Sequence, residues 1–429
     1  MRLPLIVNKL LVLFCLLIIS GGIVSAQKRI KVDSSGVMTL RIDPGNSVGG
    51  VASDFFTEVN YVPLETTKES LFGSIARLEV TDDYYIILDN NTHSVLIFTK
   101  AGKFHAKIKS TEGSSSGYIY GFSVNKWAKL ISFTRDYKAL IYYDYDGKQV
   151  KTSKIGGETD EDQVNSSEYY FIAPDKAVTP FYYNSLDSTD KSFRAYKRSL
   201  ILYTAEDHKV YAHGLAFKKE EAHISDEGYF LGGMGPITKS GVDSILFYSK
   251  LYDNAIYTIT PNTIKFSYKV IFPLYSSMPI DFITNHEYDK KRMEYVQKHQ
   301  DAVYSICNVF RVGNNLMFKA ASMSSNKEDN LIYNLKSGSL IAYKHILPDE
   351  KSYFLPIYDQ ANRNSNNSGI LGCNEGRLYT SISSLGMFRS HDESAEQKPK
   401  YNKVLTDYFK KGNLKDNPVI LELKPKDKL

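Results

Sequence analysis

Cysteine is scarce in this chain. There are three in 429 residues, and one of them, Cys15, lies in an N-terminal apolar run. That leaves Cys307 and Cys373, too few for a disulfide scaffold or a cysteine-based zinc cluster. Nothing in their spacing pairs them, so a disulfide and two buried thiols both stay open. Tryptophan occurs once, at Trp127. The net charge is only +5, part of it from Arg2 and Lys9, and lysine and arginine are scattered among the acids. No basic stripe exists to neutralise a phosphate backbone, which excludes nucleic acid as the expected partner. The chain has no H-E-x-x-H, C-x-x-C, G-x-x-x-x-G-K-[ST], G-x-S-x-G or EF-hand pattern. Its nine histidines show no i, i+2 or i, i+4 pair of the kind that preforms a zinc site. No metal and no cofactor is therefore expected. Carboxylates cluster at Asp82-Asp83, at Glu158 with Asp160, Glu161 and Asp162, and at Glu220-Glu221, in polar loop sequence that reads as solvated surface.

What is present begins at the N-terminus. Arg2 and Lys9 precede the apolar residues 10–19 (LLVLFCLLII), and Val24-Ser25-Ala26 follows as a small-x-small cleavage site. This is the pattern of a secretory signal peptide, and the run is short for a membrane span, which needs about 20 apolar residues. Cys15 follows Phe14 rather than a small residue and sits inside the apolar run, so lipid attachment is not expected. Residues 1–26 are read as a signal peptide and residues 27–429 as a single domain, exported to the periplasm or the cell exterior, with no integral membrane segment after cleavage.

Along the body of the chain, apolar residues recur as short β-type runs. Residues 84–88 (YYIIL) and 95–98 (VLIF) flank the turn composition DNNTH, and residues 104–108 (FHAKI) follow a turn containing Gly102. The pattern strand, turn, strand, glycine turn, strand then repeats. It returns at residues 130–155, at 178–213 less regularly, at 244–272 and at 316–345, with a last partial unit starting at residues 377–382. Six such units cannot each bury a face alone and must stack, and closing them into a ring removes exposed edges. The fold class expected is all-β, a six-bladed β-propeller. The sixth unit runs out of chain after residues 418–423, so residues 37–42 or 58–64 are expected to supply its outer strand and close the ring with N- and C-terminal strands. Two stretches, residues 286–299 and 401–411, carry helical spacing and read as short helical insertions.

Four segments together carry a family resemblance: residues 60–67 (NYVPLETT), 86–108, 246–259 (LFYSKLYDNAIYTI) and 416–421 (DNPVIL). They resemble the six-bladed, NHL-like β-propeller proteins exported by Bacteroidetes. The resemblance implies a fold and an exported location, and no reaction. Such proteins often carry a Gly-x-Gly-Pro-Gly-Glu-Tyr-like loop after the first blade. Here residues 112–118 (EGSSSGY) keep the glycines and the tyrosine and lack the proline and the glutamate.

In a propeller the loops joining second to third strands share one face with the connections between blades, and ligands commonly sit there. That face would collect Asn90 and His93, then Arg135, Asp136 and Tyr137, then Lys250 and Tyr252, then Arg389 and His391. Arg135, Tyr137, Tyr252, Arg389 and His391 are the candidate ligand-binding residues, because arginine, tyrosine and histidine hydrogen-bond and stack on sugars and peptides. The 32 tyrosines suit such a surface as well as strand packing. The expected role is an envelope binding or interaction module, its partner a glycan, a peptide or another envelope protein. The alternative is a hydrolase or lyase acting on an extracellular polymer at the central channel. A structural subunit of a larger envelope complex is a third reading.

Overall fold

Residues 84–89 and 94–99 show why the chain forms a propeller. Both strands are apolar almost throughout and buried on both faces, which a lone sheet with one wet face cannot provide. The computed structural model describes residues 27–109, 118–135, 139–154, 166, 168–181, 199–217, 235–324, 329–360, 369–427 and 429. The expected signal peptide, Tyr137 and most of the glycine- and serine-rich loop at 112–118 lie outside them.

Six antiparallel sheets form the blades. Blade 1 spans Arg77–Val80 to Phe104–Ile108, blade 2 Ser123–Asn125 to Gln149–Lys154, and blade 3 Tyr170–Ala173 to Val210–Ala216. Blade 4 runs from Ile237–Lys239 to Ile264–Ile271 and blade 5 from Ser305–Val312 to Leu340–Leu347. Blade 6 takes Gly372–Asn374, Arg377–Ile382 and Val419–Pro425 from the C-terminal part of the chain. Its fourth strand is Phe56–Pro63, antiparallel to Val419–Pro425 over Pro63↔Val419 to Phe56↔Pro425. The ring is thus closed by residues from both ends, through the second of the two segments expected from sequence. The other candidate, residues 37–42, does something different. Lys28–Ile30, Val32–Asp33 with Met38–Arg41, and Val48–Val51 add parallel outer strands to blades 3, 4 and 5 in turn. This belt covers three outer edges before the chain enters blade 6. Among the described residues blade 2 has no belt strand. Its outer strand Gln149–Lys154 is mostly exposed and carries Lys151 and Lys154, charges that discourage edge pairing.

Packing between blades explains much of the tyrosine content. Tyr85, Tyr61 and Tyr343 are buried rings whose hydroxyls donate to Glu422 Oε1 at 2.6 Å, to Leu355 O at 3.0 Å and to Ile357 O at 2.7 Å. Each ring contributes apolar burial while its hydroxyl stays satisfied. The C-terminal tail ties blade 6 to blade 5, where Asn315 Nδ2 donates to Lys426 O at 2.7 Å.

Among the described residues four short helices interrupt the strands: α1 (Ala52–Phe55), α2 (Arg292–Lys298), α3 (Ser384–Glu393) and α4 (Lys403–Lys411). The helices α2 and α4 fall within the two stretches read from sequence. Residues 286–288 form a separate 3-10 turn, so the first insertion is shorter than its composition suggests. The fully buried Arg292 organises it. Nε donates to Phe282 O at 3.0 Å, Nη2 to Asn285 O at 3.2 Å, and Nη1 to Asp289 Oδ1 at 3.0 Å. Helix α3 was not legible as periodicity. Ser383 caps it, its hydroxyl accepting from Gly386 N at 3.1 Å.

Candidate functional site

Each blade begins with an innermost strand, three or four residues long except in blade 5, and these six strands wall the axial channel. Within it lies a cavity of about 400 Å³, in the size range of small-ligand sites. Arg77, Val124, Tyr170, Lys239, Asn308 and Cys373 reach it from blades 1 to 6 in order. The first strand of blade 1 is Arg-Leu-Glu-Val, so period-2 alternation turns Leu78 and Val80 one way and Arg77 and Glu79 the other. Leu78 joins the apolar core, whereas Arg77 and Glu79 make ion pairs in the channel.

The charges there form one connected network. Arg77 Nη1 donates to Glu168 Oε1 at 2.7 Å, and its Nη2 and Nε donate to Glu79 Oε1 at 2.9 and 3.3 Å. Lys239 Nζ reaches Glu79 Oε2 at 2.6 Å from the opposite blade. Tyr170 donates its hydroxyl to Glu168 Oε2 at 2.6 Å. The guanidinium also sits over the rings of Phe122 and Tyr170, at 5.2 and 5.6 Å. Two cations and two carboxylates cancel. Burial alone would push the Glu79 carboxyl up, but Lys239 and Arg77 outweigh it and hold the group below its ordinary value. Burial likewise opposes the Arg77 charge, and Glu168 and Glu79 more than restore it. Both carboxylates keep unused lone pairs, while the Arg77 donors are directed at them.

One end of the channel is spanned by the loop between the first and second strands of blade 4. Lys239, which ends the strand before the loop, meets Glu79 of blade 1, and within the loop Asp243 pairs with Lys126 of blade 2 and Ser244 Oγ donates to Ile172 O of blade 3 at 2.5 Å. Gly241 lies against Cys373 of blade 6. A Cβ there would fall 3.0 Å from Cys373 Cβ and closer still to its sulfur, and the backbone holds φ at +88°. Only glycine meets both demands. Toward the other end, Asn90 and Tyr120 line the cavity. Tyr118 stacks on His93 at 4.2 Å and 7°, with Tyr120 edge-on to His93 at 5.3 Å. Tyr118 is 39% and Tyr120 67% exposed. The His93 Nδ1 is buried without a hydrogen-bond partner among the described residues. Those residues hold no group of three His, Cys, Asp or Glu side chains placed to grip a metal ion.

The residues singled out from sequence are dispersed. Arg135 ends the second strand of blade 2, half-buried. Tyr252 is packed edge-on against Phe282 at 4.9 Å, in the apolar cluster under α2. Arg389 and His391 share α3, His391 lying over Phe409 at 4.3 Å. None of these four lines the central cavity, and Tyr137 is outside the described residues. Of the wider face collected from sequence, Asn90 lines the cavity and His93 joins the tyrosine pair. Sequence reasoning missed Arg77, Glu79, Glu168 and Lys239. The signal that would have found the first two is the alternation of RLEV immediately before a strong strand.

One solved structure accords with this architecture. A protein from Bacteroides fragilis NCTC 9343, described as a candidate exported protein, superposes with a TM-score of 0.60 at 16% identity, over 91% of this chain and 99% of that one. A duf4221 family member from Bacteroides vulgatus ATCC 8482 aligns at a TM-score of 0.47 and 11% identity, over 86% and 97% of the two chains. No curated protein matches the sequence. The family model described as "Domain of unknown function (DUF4934)" matches residues 41–424, and with nearly all of the ring so covered, the chain belongs to that family.

Proposed function

We propose that residues 27–429 work as one exported binding module whose ligand is a neutral glycan held in the central cavity. The observation that carries the reading is the charge-balanced network of Arg77, Lys239, Glu79 and Glu168 in a cavity also lined by Tyr120, whose ring is edge-on to the stacked His93–Tyr118 pair. Aromatic faces stack on the C–H faces of sugar rings, and carboxylates with spare lone pairs accept from hydroxyl donors. A network with no net charge gives little attraction to a charged peptide. Export, to the periplasm or the cell exterior and without a lipid anchor, is supported by the N-terminal sequence and by the description of the Bacteroides fragilis structure. Among the described residues no helix is long and apolar enough to cross a membrane. The NHL-like kinship read from sequence belongs to the same proposal, and the six-bladed ring agrees with it.

A hydrolase or lyase is the second reading, favoured by the convergence of Glu79 and Glu168 on Arg77. Glycoside hydrolysis needs two carboxyls set across a cleft from each other, whereas here both are tied to the same Arg77 guanidinium, with Lys239 also on Glu79 and Tyr170 also on Glu168. Binding is preferred on that ground. The test is thermal unfolding of residues 27–429 with maltohexaose, cellohexaose, xylohexaose and mannohexaose, with hexagalacturonate and a basic peptide as charged comparators. A neutral ligand at 100 times its Kd adds about 2.7 kcal/mol, and Tyr120→Ala should abolish the shift without altering the unliganded Tm. Shifts from the charged comparators alone would overturn the neutral-glycan reading, and product release from a bound hexasaccharide would favour the enzyme.

A further inference from the structure

The geometry points to recognition of a glycan chain end rather than an internal stretch, an inference that rests on the binding reading above. An open axial channel would let a polymer thread the ring. Here the blade 4 loop, residues 240–245, crosses the channel and meets three other blades, through Asp243 to Lys126, Ser244 to Ile172 and Gly241 against Cys373, while Lys239, the last residue of the strand before it, pairs with Glu79 of a fourth. The Lys239–Glu79 pair is itself a bar across the ring, since blades 1 and 4 stand opposite each other. A chain entering past Tyr118 and Tyr120 therefore meets a floor of ion pairs. It must stop there, with its terminal sugar against Arg77, Glu79 and Glu168.

The floor is built rather than incidental. Gly241 adopts a left-handed φ with no room for a side chain. Glu79 and Arg77 are largely buried and committed to fixed partners. The terminal residue of a glycan has one more free hydroxyl than an internal residue. The carboxylate oxygens of Glu79 and Glu168 offer acceptors for that extra donor, and an internal residue would present a glycosidic oxygen, which donates nothing.

The experiment uses the neutral hexasaccharide that gives the largest thermal shift, in three forms: unmodified, reduced to the alditol at its reducing end, and capped by a methyl ether at its non-reducing end. Calorimetric titration of residues 27–429 should show at least one end modification weakening binding tenfold or more. The parent homopolymer, in narrow length fractions each twice the last, should bind a constant number of protein molecules per chain in sedimentation velocity. Tolerance of both end modifications, or a stoichiometry that grows with chain length, overturns the chain-end inference and leaves glycan binding standing. Failure of every neutral hexasaccharide to bind overturns the underlying reading, and this one with it.

Discussion

Acidification should loosen the seam between blades 2 and 3, and one histidine sets the size of the effect. His208 is buried in the hairpin turn of blade 3. Its Nε2 is 2.7 Å from the Tyr142 hydroxyl, and its ring lies 4.8 Å from that of Tyr169. Burial pushes its pKa down from 6.5 to about 4, with Lys151 adding and Asp207 opposing. A histidine harder to protonate when folded favours the folded state while it is neutral. Its contribution is complete above pH 6.5 and is lost as pH falls toward about 4. The full interval is worth roughly 3 kcal/mol, and about 2 kcal/mol of it is gone by about pH 5. Urea denaturation between about pH 7.5 and about pH 5 measures this directly. His208→Gln can retain the hydrogen bond to Tyr142 without a titrating group, and its stability should decline much less over the same interval. His213, whose pKa is also lowered by burial and by Arg29, leaves a smaller residual slope of the same sign. Glu79 loses its contribution only below the ordinary carboxylate range, outside this window. Equal slopes for the parent and His208→Gln would refute the argument.

Three further outcomes follow from single contacts. Arg292→Met leaves the carbonyls of Phe282 and Asn285 without their buried donor, and should cost about 1–3 kcal/mol for each acceptor left unpaired, read as a lower Tm and faster proteolysis within residues 273–304. Gly241→Ala forces a Cβ into Cys373 at an unfavourable φ and should cost about 1–3 kcal/mol; adding Cys373→Ala should recover part of that, and a double-mutant cycle with no coupling energy would contradict the contact. Burial pushes the thiols of both Cys307 and Cys373 up to about 12, so a disulfide-exchange reagent near neutral pH should titrate neither quickly in the native protein and both after denaturation.

The parts of this fold that sequence revealed are those governed by one dominant force. Second and third strands such as 84–89 and 94–99 are buried on both faces, so their apolar runs are continuous and easily seen. The innermost strands are three or four residues long in most blades, and Arg77, Glu79 and Lys239 break their apolar pattern because they face the channel. These strands escaped notice, and the candidate site went with them, since the pairing of Arg77 with Glu168 or of Lys239 with Glu79 depends on ring closure that no local window contains. The closing strand at 56–63 was legible because a sixth blade short of one strand demands it. The belt over blades 3 to 5 was not, because its short parallel strands carry little alternation and are specified by the edges they cover. Helix α3 escaped because its start depends on the cap at Ser383 rather than on apolar spacing, so Arg389 and His391 read as loop residues. Asn90 and His93 were found by placing turns on one face of a propeller, an argument from topology that survives without knowing any contact.

The central claim is that a charge-balanced pocket at the ring axis holds a neutral glycan. Its most direct test is calorimetric titration of residues 27–429 with the best neutral hexasaccharide across a range of salt. Screening acts on interactions between net charges, so the account predicts a Kd that changes by less than about twofold between about 0.05 and 0.5 M salt. A Kd that weakens tenfold or more over that range, or heat released only by the charged comparators, would contradict it.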